Sequence, residues 1–218
     1  MKRDYIDVTY CDKPPFWFSH YLVSYLAARY QMKSGMKLLD VGSGRGEYLD
    51  NFLSLGIDAY GIDNAERAAD FYDYDVDRVK IADISERLPY KTHSFDVVFA
   101  KSICEHLYYP ERLCDECYRV LKKGGQFITI TPDWRTCYKT FFGDFQHRHP
   151  FTAEAMRDML LVSGFDAVKV KSVVLMPEVL ARPWLEVPYR IASHFAPKKS
   201  RLAQFAKGLM ILASGRKR

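Results

Sequence analysis

The 218-residue sequence contains no run of roughly 18 apolar residues, the length a helix needs to cross a bilayer. No membrane span is expected. Internal repeats, low-complexity tracts and Gly/Ser-rich linkers are also missing, which argues against solenoids, disordered arms and a string of separate domains. The opening stretch MKRDYIDVTYCDKPPFWF has charges and prolines where a signal peptide would carry an apolar segment, so the expected location is cytoplasmic. Cysteine is scarce and odd in number: Cys11, Cys104, Cys114, Cys117 and Cys137 argue for free thiols over a disulfide framework. Cys114 and Cys117 form a C-x-x-C, but ERLCDECYRVLKKGG has helical spacing and no second pair follows, so these are expected as ordinary helix thiols and no metal site is expected. Acid is absent from residues 196–218, where seven Lys and Arg outnumber the net charge of +5 of the whole chain. The remainder is therefore net acidic, unlike a nucleic-acid-binding domain, and only the C-terminal segment is basic.

What is present is a globular composition, 48% hydrophobic and 27% charged with 15% aromatic, at a length suited to one substantial α/β domain. Apolar runs alternate with helical patterns, the signature of a parallel sheet covered by helices. Strands are expected at 37–42, 58–63, 79–84, 94–102, 125–132 and 166–174, with a candidate seventh at 209–215. GEYLDNFLSLG and ERLCDECYRVLKKGG, with apolar residues three and four apart and terminal glycines, are expected as crossover helices. Three segments result: an N-terminal helical or lid segment (1–35), a core (36–174), and a C-terminal helical insertion with a candidate last strand and a basic tail (175–218). In the last, Trp184, Val187, Ile191 and Phe195 fall on one helical face, expected as core or dimer contact, while the adjoining cations keep a membrane-surface role open.

The stretch MKLLDVGSGRGEYLDNFLSLGIDAYGID holds glycines at 42, 44 and 46 between an apolar strand and a helix. In a doubly wound sheet that loop borders the ligand site, and glycines there let backbone approach the ligand closely. A dinucleotide loop would read G-x-G-x-x-G and offer its pyrophosphate the N–H groups of the next helix. Here the place of that third glycine is taken by Glu47, a poor neighbour for a pyrophosphate. Asp40 lies inside the apolar run LLDVG, where a buried carboxylate costs several kcal/mol unless donors or a cation meet it. Asp63 ends the second strand, where it can accept ribose hydroxyls, and Asp83 ends the third, within reach of an adenine amino group with Ile84 near the ring. Three acids at three successive strand ends suit a cationic nucleoside.

On these motifs the sequence resembles the class I S-adenosylmethionine-dependent methyltransferases, particularly the small-molecule group, over roughly residues 36–165. LLDVGSGRGEYL, YGID, IADISERLPYKTHSFDVVFAKSICEHL, RVLKKGGQFITITP and HPFTAEAMRDMLLVSGF carry the resemblance. It implies a single-domain, Rossmann-like methyltransferase fold: a doubly wound, mostly parallel seven-stranded sheet with helices on both faces. It also implies S-adenosyl-L-methionine as cofactor, leaving as S-adenosyl-L-homocysteine. Asp40, Gly42, Ser43, Gly44 and Gly46 would then line the methionine part, Asp63 and Asn64 the ribose, Asp83 and Ile84 the adenine, and Ala100 and Lys101 the sulfonium side. The Lys101 side chain is expected to point away from the sulfonium or toward an acidic acceptor.

Methyl transfer is an in-line displacement that needs alignment and exclusion of water, and a hydroxyl acceptor benefits from a base. His106, after the fourth strand, and His149, with His147 after the fifth, are the candidates; capping, packing or binding of an anionic substrate are their other readings. The run AKSICEH lacks the Asn/Asp-Pro-Pro-aromatic pattern of exocyclic-amine methylation, and Cys104 lacks the context of a cytosine-C5 nucleophile, so a nucleic-acid acceptor is disfavoured. The expected acceptor is an oxygen or nitrogen of a small molecule: a sugar, a lipid-linked glycan or an aromatic metabolite. An NAD(P)-dependent oxidoreductase and a non-catalytic S-adenosylmethionine-binding regulator are the alternatives. Oligomeric state is not legible.

Overall fold

The computed structural model describes residues 8, 16, 18–71, 78–196 and 209–218. Its centre is a seven-stranded sheet formed by β1 (Lys37–Val41), β2 (Asp58–Asp63), β3 (Val79–Ile81), β4 (Phe95–Lys101), β5 (Leu121–Pro132), β6 (Asp166–Val173) and β7 (Met210–Arg216). The strand order is β3-β2-β1-β4-β5-β7-β6; β1 to β5 pair in parallel, and β7 runs antiparallel between β5 and β6.

Strands buried on both faces read as nearly continuous apolar runs, because alternate side chains enter opposite layers. In β4, Val97 and Phe99 enter one layer with Leu22, Val23 and Leu26 of α1 (Ser19–Arg29) and Leu49 and Phe52 of α2 (Glu47–Ser54). Val98 and Ala100 enter the other, with Leu113, Cys114 and Cys117 of α3 (Pro110–Val120) and, beyond α4 (Trp134–Cys137), Met156 and Leu160 of α5 (Ala153–Val162). Cys114 and Cys117 are fully buried, and burial holds both thiols well above their ordinary pKa, as inert packing groups. Gly56, in the left-handed conformation, follows α2 as expected, and the Thr152 hydroxyl caps α5 by accepting from the Ala155 N–H at 3.2 Å.

Several expectations are corrected. The third strand stops at Ile81, which pairs with Asp63, the last residue of β2, and Asp83 then begins a turn that accepts from the Ser85 N–H at 2.8 Å. The helix expected over ERLCDECYRVLKKGG ends at Val120: Leu121 is already extended, and Lys122–Gly125 belong to β5. In the C-terminal segment, where described, Arg216 ends β7 and Lys217 is buried, donating to the carbonyls of Leu121 at 2.9 Å and Arg119 at 3.1 Å. Lys198, Lys199, Arg201 and Lys207 lie outside the described residues. The apolar stripe from Trp184 to Phe195 is not core. All four side chains are exposed on the short turn before, and on, α7 (Glu186–Phe195), which follows α6 (Pro177–Ala181).

Candidate active site

The strand order reverses between β1 and β4, and ligands in such sheets bind beyond the carboxyl ends at that point. A cleft of about 850 Å³ opens there, lined by the loop after β1, the ends of β2, β3 and β4, and the loops after β4 and β5. After β1 the N–H groups of Gly42 and Ser43 donate to the Ile62 carbonyl, at 2.7 and 3.1 Å, folding the loop over the end of β2. Gly42 has φ of 74°, and a Cβ there would run into the Ile103 side chain, so both conformation and space demand glycine.

Asp40, Gly42, Ser43, Gly44, Asp63, Asn64, Asp83, Ile84, Lys101 and His106 all border the cleft. Gly46 does not: it sits behind the loop as the left-handed N-cap of α2, donating to the Ser43 carbonyl at 2.9 Å. Ala100 is fully buried in the sheet beside Val41 and is likewise absent from the wall. His149 stacks on Phe151 with ring centroids 4.6 Å apart and is replaced in the wall by His147.

Asp63 accepts from the Gly44 N–H at 2.7 Å through one oxygen and from the Ala65 N–H at 2.9 Å through the other, tying the glycine loop to β2. Asp40 is buried with one oxygen, Oδ2, that has no partner. Burial first, and then the neighbouring Asp63, push its carboxyl up to about 8, with Lys101 acting in the opposite sense. The Lys101 ammonium lies 5.9 Å from the Phe16 ring centre and 5.4 Å from that of Tyr48 and donates to the Ser102 hydroxyl at 3.3 Å. Glu47 faces the cleft as well, paired with Arg45 at 2.5 Å.

The opposite wall is built by two loops held together through one carbonyl. The Glu105 carbonyl accepts from the N–H groups of Arg148 at 2.7 Å and His149 at 3.0 Å, which brings His147 against His106 with ring centres 4.8 Å apart. Glu105 is buried; its Oε2 accepts from the Thr131 hydroxyl at 2.8 Å, its Oε1 has no partner, and burial raises its carboxyl to about 7. His106 has an unpartnered, buried Nδ1, and burial, then His147, lower its pKa, so it is neutral at neutral pH. His147 Nδ1 lies 2.6 Å from the Phe141 carbonyl, which can only accept, so that nitrogen carries a proton. Glu105, His106 and His147 each offer a donor atom, all within 4.8 Å of one another, a convergence that sequence spacing did not show. Arg112 and Arg148 stack on Tyr109 and Tyr108 at the mouth, 4.6 and 5.4 Å from the ring centres.

Sequence reasoning missed Phe16, Tyr48, Glu105 and the Tyr108 and Tyr109 pair as wall residues. The signal for Glu105 was an acid beside His106 directly after an apolar strand; nothing in the sequence pairs that loop with His147.

Comparison with known proteins agrees with this geometry. The family model described as "Methyltransferase domain" matches residues 39–129. The chain is 36% identical over 107 residues to the mitochondrial ubiquinone biosynthesis O-methyltransferase of Mus musculus, a match covering 45% of this chain and 29% of that protein. It is 29% identical over 150 residues to the chloroplastic 2-methyl-6-phytyl-1,4-hydroquinone methyltransferase 1 of Oryza sativa subsp. japonica, covering 64% of this chain and 44% of that protein. The chain thus spans less than half the length of either curated relative. Among solved structures, a SAM-dependent methyltransferase from Archaeoglobus fulgidus superposes with a TM-score of 0.65 at 21% identity, covering 91% of this chain and 94% of that one. Residues 39–129 thus match a methyltransferase domain, and the seven-stranded sheet around them has the fold of solved S-adenosylmethionine-dependent methyltransferases.

Proposed function

We propose that the protein transfers the methyl group of S-adenosylmethionine to an oxygen or nitrogen of a small molecule. The observation that carries this reading is the facing of two walls across one cleft: three acids and a glycine loop on one side, the His106–His147 pair on the other. Asp40, with its unpartnered Oδ2, meets the positive charge of the cofactor's methionine part; Gly42 and Gly44 admit its backbone; Asp63 and Asn64 face the ribose; Asp83 and Ile84 hold the adenine. The acceptor enters between Tyr108, Tyr109 and the histidines. As its hydroxyl or amine attacks the methyl carbon, the carbon–sulfur bond breaks with its electron pair going to sulfur, and His106 takes the acceptor's proton. A base so placed contributes about 10²–10⁴-fold.

A second reading of the same wall rests on the unpartnered Glu105 Oε1 and His106 Nδ1. With His147 they form a donor set suited to a divalent transition metal, which would lower the acceptor's pKa directly. The test is transfer of a labelled methyl group to a panel of phenols, hydroquinones, amines and sugars, run with and without prior chelation. Transfer that survives chelation supports the histidine base; transfer lost on chelation and restored by a divalent ion supports the metal; binding of S-adenosylhomocysteine without transfer to any acceptor supports the regulatory alternative.

A further inference from the structure

β6 ends at Val173 beside Met210 of β7, and Met210 also pairs with Pro132 at the end of β5. The connection from β6 to β7 therefore leaves and re-enters the sheet at its carboxyl edge, the edge on which the cleft opens; Pro132 and Met210 are themselves part of the cleft wall. Within that connection, Trp184, Val187, Pro188, Ile191, Ala192 and Phe195 are all exposed, at intervals of three and four residues, with Trp184 at 72% and Phe195 at 86%. The opposite side of the same turn and helix is anchored: Leu185 and Tyr189 pack on Val174, Met176, Val179 and Leu209. The loop after β4 adds exposed Tyr108, and the loop after β5 adds exposed Phe142 and Phe145, both at this same edge. Exposed cations lie on the same segments: Arg182 and Arg190 on the connection, the latter 3.9 Å from Glu186, and Lys139 and Arg148 on the loop after β5. The sequence at 197–208, outside the described residues as to structure, continues with Lys198, Lys199, Arg201 and Lys207 and no acid.

We propose that this edge docks on an anionic lipid surface, with α7 lying in the plane of the interface. A helix that presents Trp, Ile and Phe outward, bordered by Arg and Lys, gains from burial of its apolar face and from attraction to anionic headgroups together. A self-association face would need neither the cations nor the location beside the cleft mouth. Docking turns the cleft toward the lipid, which makes the acceptor a molecule that resides in or on the membrane; that last step rests on the methyltransferase reading, and the docking does not.

The experiment is co-sedimentation of the full chain with vesicles of phosphatidylcholine alone and with about a third phosphatidylglycerol. S-adenosylhomocysteine binding is measured on the same samples. The expected result is binding to the anionic vesicles that falls by at least roughly tenfold in the variant carrying Trp184→Ser, Ile191→Ser and Phe195→Ser, and falls again in high salt. All three positions are exposed, so the variant is expected to keep its fold and its S-adenosylhomocysteine affinity. Protein that binds S-adenosylhomocysteine yet sediments with neither vesicle overturns the proposal. So does a concentration-dependent dimer that the triple variant abolishes, which would assign the face to a second copy of the chain. Vesicle binding without S-adenosylhomocysteine binding would leave docking standing and remove the methyltransferase reading.

Discussion

Asp40 lies next to the end of β1 and Asp63 ends the adjacent β2, and their environments set them different tasks. Both oxygens of Asp63 hold backbone N–H groups, whereas Asp40 keeps an unpartnered oxygen in a buried place. In the unfolded chain Asp40 ionises near 3.8 and in the folded one near 8, so between these values the folded protein retains a proton that the unfolded chain has lost. Stability contributed by this group is full below the lower value and declines as pH rises through the upper one. Asp40→Asn removes that decline: its melting temperature is expected to exceed that of the parent at about pH 9, with the difference vanishing near pH 4. The same substitution is expected to weaken S-adenosylmethionine binding, because the positive ligand selects the ionised carboxylate. Affinity in the parent should accordingly rise with pH up to about 8 and then level off, with proton release seen by calorimetry in buffers of different ionisation enthalpy. On the other wall, His106→Ala is expected to lower kcat by about 10²–10⁴-fold while leaving S-adenosylhomocysteine affinity unchanged. A kcat equal to the parent's across the pH range would remove His106 from the mechanism.

At the scale of elements, β1, β2 and β4 begin and end within a residue of the positions expected from the apolar runs, because strands buried on both faces have little freedom in composition. The glycine loop was legible for the same reason that it is fragile. Gly42→Ala places a Cβ against Ile103 at a positive φ, and is expected to weaken S-adenosylhomocysteine binding by more than roughly tenfold with a smaller effect on melting. Equal affinity for parent and variant in a titration would contradict the assignment of that loop to the cofactor. The opposite wall was not legible in the same way. Glu105, His106 and His147 come together only because two N–H groups of the loop after β5 find one carbonyl of the loop after β4. No periodicity encodes that meeting, so the sequence pointed to His149 where the fold brings His147. The misplaced end of α3 has a similar origin: Lys217, nearly a hundred residues away, holds the Leu121 carbonyl and helps fix the extended turn into β5.

On the scale of the whole molecule, the segment expected as a candidate strand and basic tail fills the gap between β5 and β6. β6 pairs with β7 alone, so the sheet beyond β5 depends on the last residues of the chain. Deleting residues 209–218 is expected to unpair β6, expose buried Phe165 on one face and Val173 on the other, and abolish a single cooperative melting transition. A truncated chain that melts cooperatively near the parent temperature would show instead that β7 is dispensable. The topology also explains why one edge carries so much: with β1 to β6 pointing one way, the connections that follow β1, β4, β5 and β6 gather at a single end, where cofactor loop, histidine wall and exposed apolar helix all lie.

The most direct test of the central claim, that the cleft at the end of β1 and β4 holds S-adenosylmethionine, is a calorimetric titration with S-adenosylhomocysteine beside an identical one with NADH. Micromolar binding of S-adenosylhomocysteine alone, lost in Gly42→Ala, is the predicted result. Binding of NADH alone would contradict it and return the glycine loop to a dinucleotide.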